Sequence, residues 1–223
     1  MRLPNTKSDA DARSLLVKGC KELGINVNDD QTDLFLTYLA LMQRWSKKLN
    51  LTKILDDHEI VRKHFLDAMT AFKAIEILPG QRIMDVGSGA GIPGIPVKIL
   101  QPTIGLTLVE PSQKKAAFLR TACGALKQNG VRILTDPVEA IASRIEHHGA
   151  YDHLLVRAMT LSRRRLEILA KLLDLHGDIL LYQGRRLTLD HLPSSLCTRR
   201  EISFILPGGT DQRRLIVLGH STN

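Results

Sequence analysis

The chain has 223 residues, of which 43% are hydrophobic, and a formal net charge of +8. This length suits one large domain, or a compact domain with an appendage, and is enough for a substantial core. No apolar run approaches the roughly 18 residues of a membrane span. The first residues lack the apolar stretch of a secretory signal, so we expect a cytoplasmic protein that does not enter the membrane.

The cysteines predict neither a disulfide framework nor a zinc site. Cys20, Cys123 and Cys197 are odd in number, far apart along the chain and without CxxC spacing. We therefore expect buried free thiols and no bound metal.

The basic excess favours a polyanionic partner. Most of it lies after residue 80, in short clusters that are separated along the chain. Taken singly, each cluster is explained by a solvated surface, so only convergence on one face would indicate RNA. The clusters are Lys114-Lys115, Arg163-Arg164-Arg165, Arg185-Arg186, Arg199-Arg200 and Arg213-Arg214.

Residues 1–80 are predicted to form a helical extension that packs on the main domain. Between residues 34 and 49, apolar side chains recur every three or four positions and give one apolar helix face. Asp56 and Glu59 have the spacing of a capping box before a second helix. The apolar face consists of Leu34, Phe35, Tyr38, Leu41, Met42, Trp45 and Leu49.

Residues 81–223 are predicted to form an α/β domain. Apolar strands alternate with helical patterns, which indicates a parallel sheet covered on both faces. The segment from Glu201 to Gly219 differs, because two apolar runs joined by a Gly-rich connection predict an antiparallel hairpin. A Rossmann-like, mostly parallel sheet that ends in a hairpin is the usual form of S-adenosylmethionine-dependent methyltransferases. The predicted parallel strands are Ile83–Val86, Leu106–Glu110, Arg132–Thr135, Asp152–Arg157 and Ile179–Gln183.

The stretch "DVGSGAGIPGIP", from Asp85 to Pro96, predicts a ligand-binding loop. Gly87, Gly89 and Gly91 alternate with other residues, a pattern that indicates φ > 0 or a ligand pressed against bare backbone. A strand before the loop and a helix after it place that ligand above the strand's carboxyl end. The residues from Gly89 onward also satisfy G-x-G-x-x-G, so the pattern alone leaves NAD open.

Three features favour S-adenosylmethionine over a nicotinamide cofactor. The Asp85 carboxylate suits a cationic sulfonium better than a pyrophosphate, which it would repel. The other two are the terminal hairpin and the lack of a second catalytic domain. Glu110, at the end of the second strand, would accept the ribose hydroxyls of either cofactor; the alternative is a carboxylate facing the N-terminus of the next helix.

The end of the fourth strand, "HLLVRAM", is where the methyl acceptor would lie. It has no [DN]-P-P-[FYW] tetrad and no cysteine nucleophile. Arg157 is a poor general base but a good donor to guanine O6, phosphate or carboxylate. An ion pair between Arg157 and Glu139 is the structural alternative.

The absence of a base fits guanine N7, which carries a lone pair and no proton. No general base is then needed, and the protein's task is to hold N7 within ~3–3.5 Å of the methyl group and exclude water. Arg157 is assigned a positioning role. Because A-form pairing hides N7 in a deep groove, the target guanine should be looped out or unstacked.

Several motifs in this order and spacing resemble the bacterial RsmG family, formerly GidB. The resemblance runs from about Asp29 to Leu218 and implies a cytoplasmic enzyme that methylates N7 of a guanine in a 16S ribosomal RNA loop. Its substrate would be that RNA or the small ribosomal subunit, and the oligomeric state is left open, with a monomer as the default. The motifs are the glycine loop, "NLTKI" (Asn50–Ile54), "KHFLDA" (Lys63–Ala68), "KKAAFLR" (Lys114–Arg120), "VEAI" (Val138–Ile141) and "VRAM" (Val156–Met159).

The resemblance also implies site residues. It would place Gly87, Ile92, Val138, Glu139 and Arg157 against the cofactor, beside the Asp85, Gly89, Gly91 and Glu110 identified above. On the RNA side, Asn50 holds a turn or lines the RNA surface, and His64 is either a packed histidine or an RNA contact.

The chain departs from the family pattern on the RNA side. Val156 stands where the family usually has serine, and Gln183-Gly184 where it commonly has Lys-Gly. Arg185 and Arg186 could replace the lost cation. Two rival functions stay open: an RNA- or ribosome-binding module on a degenerate methyltransferase scaffold, and a nicotinamide oxidoreductase.

Overall fold

The computed structural model describes residues 7–183 and 192–221. Before the sheet the chain is helical, as predicted, although the last part is divided into short segments. In the described part, no helix has both the length and the apolar character needed to span a bilayer. The helical elements are α1 (Lys7–Glu22), α2 (Asp29–Leu49), α3 (Asp57–Ile60), a π-helical segment (Val61–Leu66), α4 (Asp67–Met69) and α5 (Ala71–Ala74).

Capping residues set the ends of these helices. The Asn28 side chain accepts a hydrogen bond from Gln31 N while the Gln31 side chain accepts one from Asn28 N, so α2 begins with a capping box. The chain leaves α2 at Asn50, which adopts the left-handed conformation. Asp56 caps α3 through a 3.0 Å bond from Glu59 N, but the Glu59 side chain pairs with Arg62 and leaves the predicted box half formed.

The rest of the chain forms a seven-stranded sheet in the order β3-β2-β1-β4-β5-β7-β6. β1 to β5 are parallel, and β7 is antiparallel to both of its neighbours. The strands are β1 (Arg82–Val86), β2 (Gly105–Val109), β3 (Val131–Leu134), β4 (Tyr151–Arg157), β5 (Leu173–Gln183), β6 (Leu196–Ile205) and β7 (Gln212–His220).

Helices cover both faces of this sheet, as its nearly continuous apolar strands require. On one face, α6 and α7 share a core with α2 and the other N-terminal helices. In this core Tyr38 stacks on Phe65, and Trp45 contacts Phe118 edge-on. On the other face, α8 and α9 pack on Met84, Val86 and their neighbours. The helices are α6 (Gly94–Leu100), α7 (Gln113–Ala125), α8 (Val138–Ile141) and α9 (Arg163–Leu172), with a 3-10 turn at Ile145–His147.

The predicted fold class is confirmed, with one difference at the hairpin. β6 begins at Leu196, earlier than its apolar pattern indicated. It is an edge strand that pairs on one side only, so exposed residues such as Arg200 and Glu201 are tolerated in it. The division of the chain at residue 80 stays a prediction, since the helices before it and the sheet after it share one apolar core.

Candidate active site

Two different physical requirements explain the glycines in the loop after β1. Gly87, Gly89 and Gly91 have φ of 74°, 57° and 82°, a region that side-chain-bearing residues rarely adopt. Gly94 is needed for another reason, because a Cβ there would lie 2.8 Å from Asp85 Oδ2 and from Leu108 Cδ2.

The backbone of this loop borders open space. Gly87 is exposed and Gly89 is half-buried. A Cβ built on Gly89 would meet nothing nearer than the Gly87 carbonyl oxygen at 3.9 Å. The bare backbone at Gly89 therefore leaves room for a ligand.

Asp85 is a buried carboxyl group beneath the loop. Its Oδ2 accepts a 3.0 Å hydrogen bond from Gly94 N, while its Oδ1 has no hydrogen-bond partner among the described residues. Burial raises the pKa of this carboxyl to about 7. A nearby cation would favour the ionised form, so the group fits a positively charged ligand.

Glu110 ties the glycine loop to the end of β2. Its Oε2 accepts from Gly89 N at 2.8 Å, and its Oε1 accepts from Ser112 N at 2.9 Å. Ser112 is the N-cap of α7. Glu110 therefore faces the N-terminus of α7, as one interpretation of the sequence proposed. The other interpretation, a contact with a ribose, stays open, because each carboxylate oxygen keeps a lone pair that can accept from a ribose hydroxyl.

Arg157 ends β4 and is held by the N-terminal helical segment. Its Nε lies 3.2 Å from Asp67 Oδ2, and its Nη2 donates to the Lys63 carbonyl oxygen at 2.7 Å. The alternative ion pair with Glu139 is wrong: that residue is exposed and pairs with Arg165 at 3.4 Å. The helices before the sheet provide a buried acid that the sequence pattern did not pair with Arg157.

Asp67 joins three distant parts of the chain. Besides Arg157, its carboxylate faces Arg213 of the terminal hairpin, with 3.3 Å between Oδ1 and Nε. Burial raises the pKa of Asp67, and the two guanidinium groups oppose that rise. Asp67 lies in the "KHFLDA" motif, but its role was missed because both partners are far away in sequence.

His64 is buried beside this pair. Its Nε2 lies 2.8 Å from Thr52 Oγ1, and its Nδ1 lies 3.3 Å from Arg157 Nη2. Burial, together with the charge of Arg157, lowers the pKa of His64 to about 4. This environment favours the packed-histidine alternative over an RNA contact. Asn50 is exposed and forms the left-handed turn that ends α2, as its structural alternative proposed.

The remaining predicted residues surround the same edge of the sheet. Ile92 is buried within the loop, and Val138 is buried where α8 begins after β3. Val156 lies in the apolar core beneath α9, and Gln183 is buried at the end of β5. Arg185 and Arg186 lie outside the described residues.

The turn after β4 is a feature that the sequence did not indicate. Ala158 has φ of 55°, which is uncommon for a residue with a side chain. Met159 follows, and its Cε lies 3.0 Å from the position of a Cβ on Gly87. This turn therefore brings the acceptor side of the site against the glycine loop.

The strand order, the terminal hairpin and the glycine loop after β1 together define a Rossmann-like methyltransferase fold. A solved structure of a protein described as a predicted O-methyltransferase from Agrobacterium tumefaciens superimposes with a TM-score of 0.58 at 20% identity, covering 70% of this chain and 81% of that one. A family model described as rRNA small subunit methyltransferase G (GidB) matches residues 31–195. The chain belongs to this family.

Curated relatives carry the same description. A ribosomal RNA small subunit methyltransferase G from Clostridium botulinum is 39% identical over 146 residues, which cover 66% of this chain and 61% of the relative. One from Caldanaerobacter subterraneus is 34% identical over 171 residues, which cover 77% of this chain and 72% of the relative. The match thus spans less than two thirds of the length of the first of these relatives.

Proposed function

We propose that the chain is an S-adenosylmethionine-dependent methyltransferase that modifies N7 of a guanine in a loop of 16S ribosomal RNA. The observation that carries the cofactor assignment is the buried Asp85 Oδ1, which lacks a partner among the described residues beneath a loop of bare backbone. A pyrophosphate would be repelled by the ionised carboxylate, whereas a sulfonium would stabilise it. Family membership supports the methyl-transfer chemistry.

The proposed cofactor site lies along the carboxyl ends of β1 to β4. When bound, S-adenosylmethionine would supply an activated methyl group on a cationic sulfur. Glu110 fixes Gly89 through its 2.8 Å bond and would accept from the ribose. The residues that we propose to hold the cofactor are Asp85, Gly87, Gly89, Gly91, Ile92, Glu110, Val138, Glu139 and Arg157.

Arg157 is proposed to orient the guanine, and no residue is proposed as a general base. The Nε and Nη2 groups of Arg157 are engaged by Asp67 and Lys63. Nη1 lies 3.4 Å from His64 Nδ1, so its second N–H group would be the one to donate to O6. A hydrogen bond to N7 would occupy the lone pair that must attack the methyl group, so the arginine should contact O6 alone. His64, the nearest imidazole, is engaged by Thr52 and Arg157.

The substrate is proposed to be the ribosomal RNA, alone or within the small subunit, in the cytoplasm. The net charge of +8 supports a polyanionic partner. No cluster of three or more metal-ligating side chains occurs among the described residues. We also propose that residues 1–80 complete the site of residues 81–223, since Lys63, His64 and Asp67 all contact Arg157.

Methyl transfer from labelled cofactor to ribosomal RNA tests this function. The RNA should come from a strain lacking the protein, and the modified position should be mapped by cleavage at N7-methylguanine. We expect label at N7 of a guanine in 16S ribosomal RNA. Label on an exocyclic nitrogen, or no label on 16S ribosomal RNA either free or within the small subunit, would contradict the proposal.

Two binding measurements separate the rival functions. Calorimetry with S-adenosylmethionine should show binding, and its absence at millimolar ligand would favour an RNA-binding module on a degenerate scaffold. A fluorescence titration with NADH should show no binding, because saturation there would favour an oxidoreductase.

A further inference from the structure

The end of α2 projects past the edge of the sheet that carries the site. Gln31, near the start of α2, donates to the Ile99 carbonyl oxygen at the far end of α6. Tyr38 donates to the Ala90 carbonyl oxygen in the loop after β1. Leu49 follows Tyr38 by eleven residues, which at ~1.5 Å per residue carries the helix about 16 Å further. Lys47 and Lys48 therefore lie beyond the carboxyl ends of the strands.

Two other helices begin at the same edge, one on each face of the sheet. α7 follows β2 and begins with Gln113, Lys114 and Lys115; it packs in the same core as α2. α9 follows β4, carries Arg164 in its first turn and packs in the core of the opposite face. Basic side chains thus flank the site from both sides.

These side chains are accessible to a partner. Lys47, Lys48, Lys114 and Arg164 are exposed, and Lys115 is half-buried. Within residues 7–183 and 192–221, no carboxylate lies within ion-pair distance of any of these five. We call Lys47, Lys48, Lys114, Lys115 and Arg164 the basic rim.

The other basic clusters differ from the basic rim. Arg213 and Arg214 also lie at this edge, but they pair with Asp67 and Glu201. Arg199 lies near the opposite edge, where it pairs with Asp178 at 2.8 Å. Convergence of unpaired cations on one side of the fold is the condition under which a basic excess indicates a polyanion.

We propose that the basic rim binds the phosphates of the substrate RNA on both sides of the site, an inference that rests on the proposed function. An RNA segment that touches the lysines of α2 and α7 and also Arg164 must cross the carboxyl ends of β1 and β4. The glycine loop and Arg157 lie at those ends. Phosphate contacts therefore fix the position of the RNA. One unstacked guanine then enters the site between the lysines of α2 and α7 on one side and Arg164 on the other.

A matched pair of triple variants tests this surface. Lys48→Gln/Lys114→Gln/Arg164→Gln removes three rim charges, and Lys21→Gln/Lys127→Gln/Arg132→Gln removes three exposed charges near the opposite edge. Binding of unmodified, in vitro transcribed 16S ribosomal RNA should be measured over a range of KCl concentrations. S-adenosylmethionine binding by calorimetry and the melting temperature report on the rest of the protein.

We expect the rim variant to reduce the slope of log affinity against log salt by about two, since each lost phosphate contact on a single strand removes about 0.7. The control variant should change the slope by much less, and both should bind S-adenosylmethionine like the wild type. If the wild type methylates 16S ribosomal RNA but the rim variant keeps the wild-type slope, the basic rim is wrong and the function stands. If the wild type binds S-adenosylmethionine but transfers no methyl group to 16S ribosomal RNA, either free or within the small subunit, the function fails and the rim proposal with it.

Discussion

Asp67 Oδ2 lies 3.2 Å from Arg157 Nε, so a buried acid of the N-terminal helices holds the arginine at the end of the fourth strand. The same carboxylate faces Arg213 in the terminal hairpin. A residue of the helical segment thereby connects two parts of the sheet beside the proposed acceptor.

Replacing Asp67 should impair the reaction beyond its effect on stability. In Asp67→Asn the shape is kept but the charge that orients Arg157 is lost, so we expect kcat to fall about tenfold or more. Steady-state methyl transfer with saturating cofactor and RNA measures this. Asp152→Asn is the matched control, because Asp152 pairs with Arg82 at the opposite edge; it should lower the melting temperature without lowering kcat. Equal kcat values for the two variants would refute the positioning role.

Arg157→Ala should lower kcat at every pH. If no proton is abstracted, wild-type kcat at saturating cofactor should be nearly constant above pH 6. The kcat of the variant should depend on pH in the same way and should be at least about tenfold lower than that of the wild type. A steep rise of wild-type kcat through a pKa near 7 would show that a base takes part after all.

Cofactor binding should release a proton from Asp85. Burial raises the pKa of this carboxyl to about 7, and a nearby sulfonium would lower it again. At pH 6 we expect the calorimetric heat of S-adenosylmethionine binding to vary with the ionisation enthalpy of the buffer. Asp85→Asn should bind more weakly and without that variation. Buffer-independent heats in the wild type would mean that Asp85 does not sense the cofactor.

His64 should make the protein less stable in acid. Its pKa is lowered from 6.5 to about 4 in the folded state, so its contribution is complete above pH 6.5 and is lost as the pH falls toward 4. At about 1.4 kcal/mol per pH unit, the loss is about 3 kcal/mol. Urea unfolding between pH 7 and pH 4 should show that the free energy of unfolding depends less on pH in His64→Gln than in the wild type. The exposed His58 supplies the control, His58→Gln, whose profile should follow the wild type.

Two glycine substitutions should have opposite effects. Gly124 is exposed in α7, and a Cβ there meets no atom within 4 Å, so Gly124→Ala should raise the free energy of unfolding by about 0.5–1 kcal/mol. Gly89 has φ of 57°, so Gly89→Ala should destabilise by about 1–2 kcal/mol and place a methyl group in the proposed cofactor space. Melting curves and calorimetry measure both effects. Undiminished cofactor binding by Gly89→Ala would argue against the loop assignment.

The local sequence pattern was sufficient to predict the parallel strands and the glycine loop. Asp85, Gly87, Gly89 and Gly91 are close in sequence, and the backbone conformation of the three glycines is a local property. The apolar runs of the parallel strands had to be covered on both faces, which fixed the fold class. The early start of β6 was not predictable, because an exposed edge strand carries no apolar pattern.

The environment of Arg157 required the tertiary structure. Lys63, His64 and Asp67 are ninety or more residues away from Arg157 in sequence. A hydrophobic periodicity does not indicate which buried charges will pair. For the same reason, the sequence offered Glu139 as an alternative partner of Arg157, whereas the fold brought Arg165 to that acid.

The sequence by itself determined the strand-loop-helix unit and the excess of positive charge, since both follow from residues that act locally or in sum. Only the tertiary structure decided which cations are neutralised and which remain exposed around the site. Charges interact through space over a few ångströms, and the folded chain alone sets those distances.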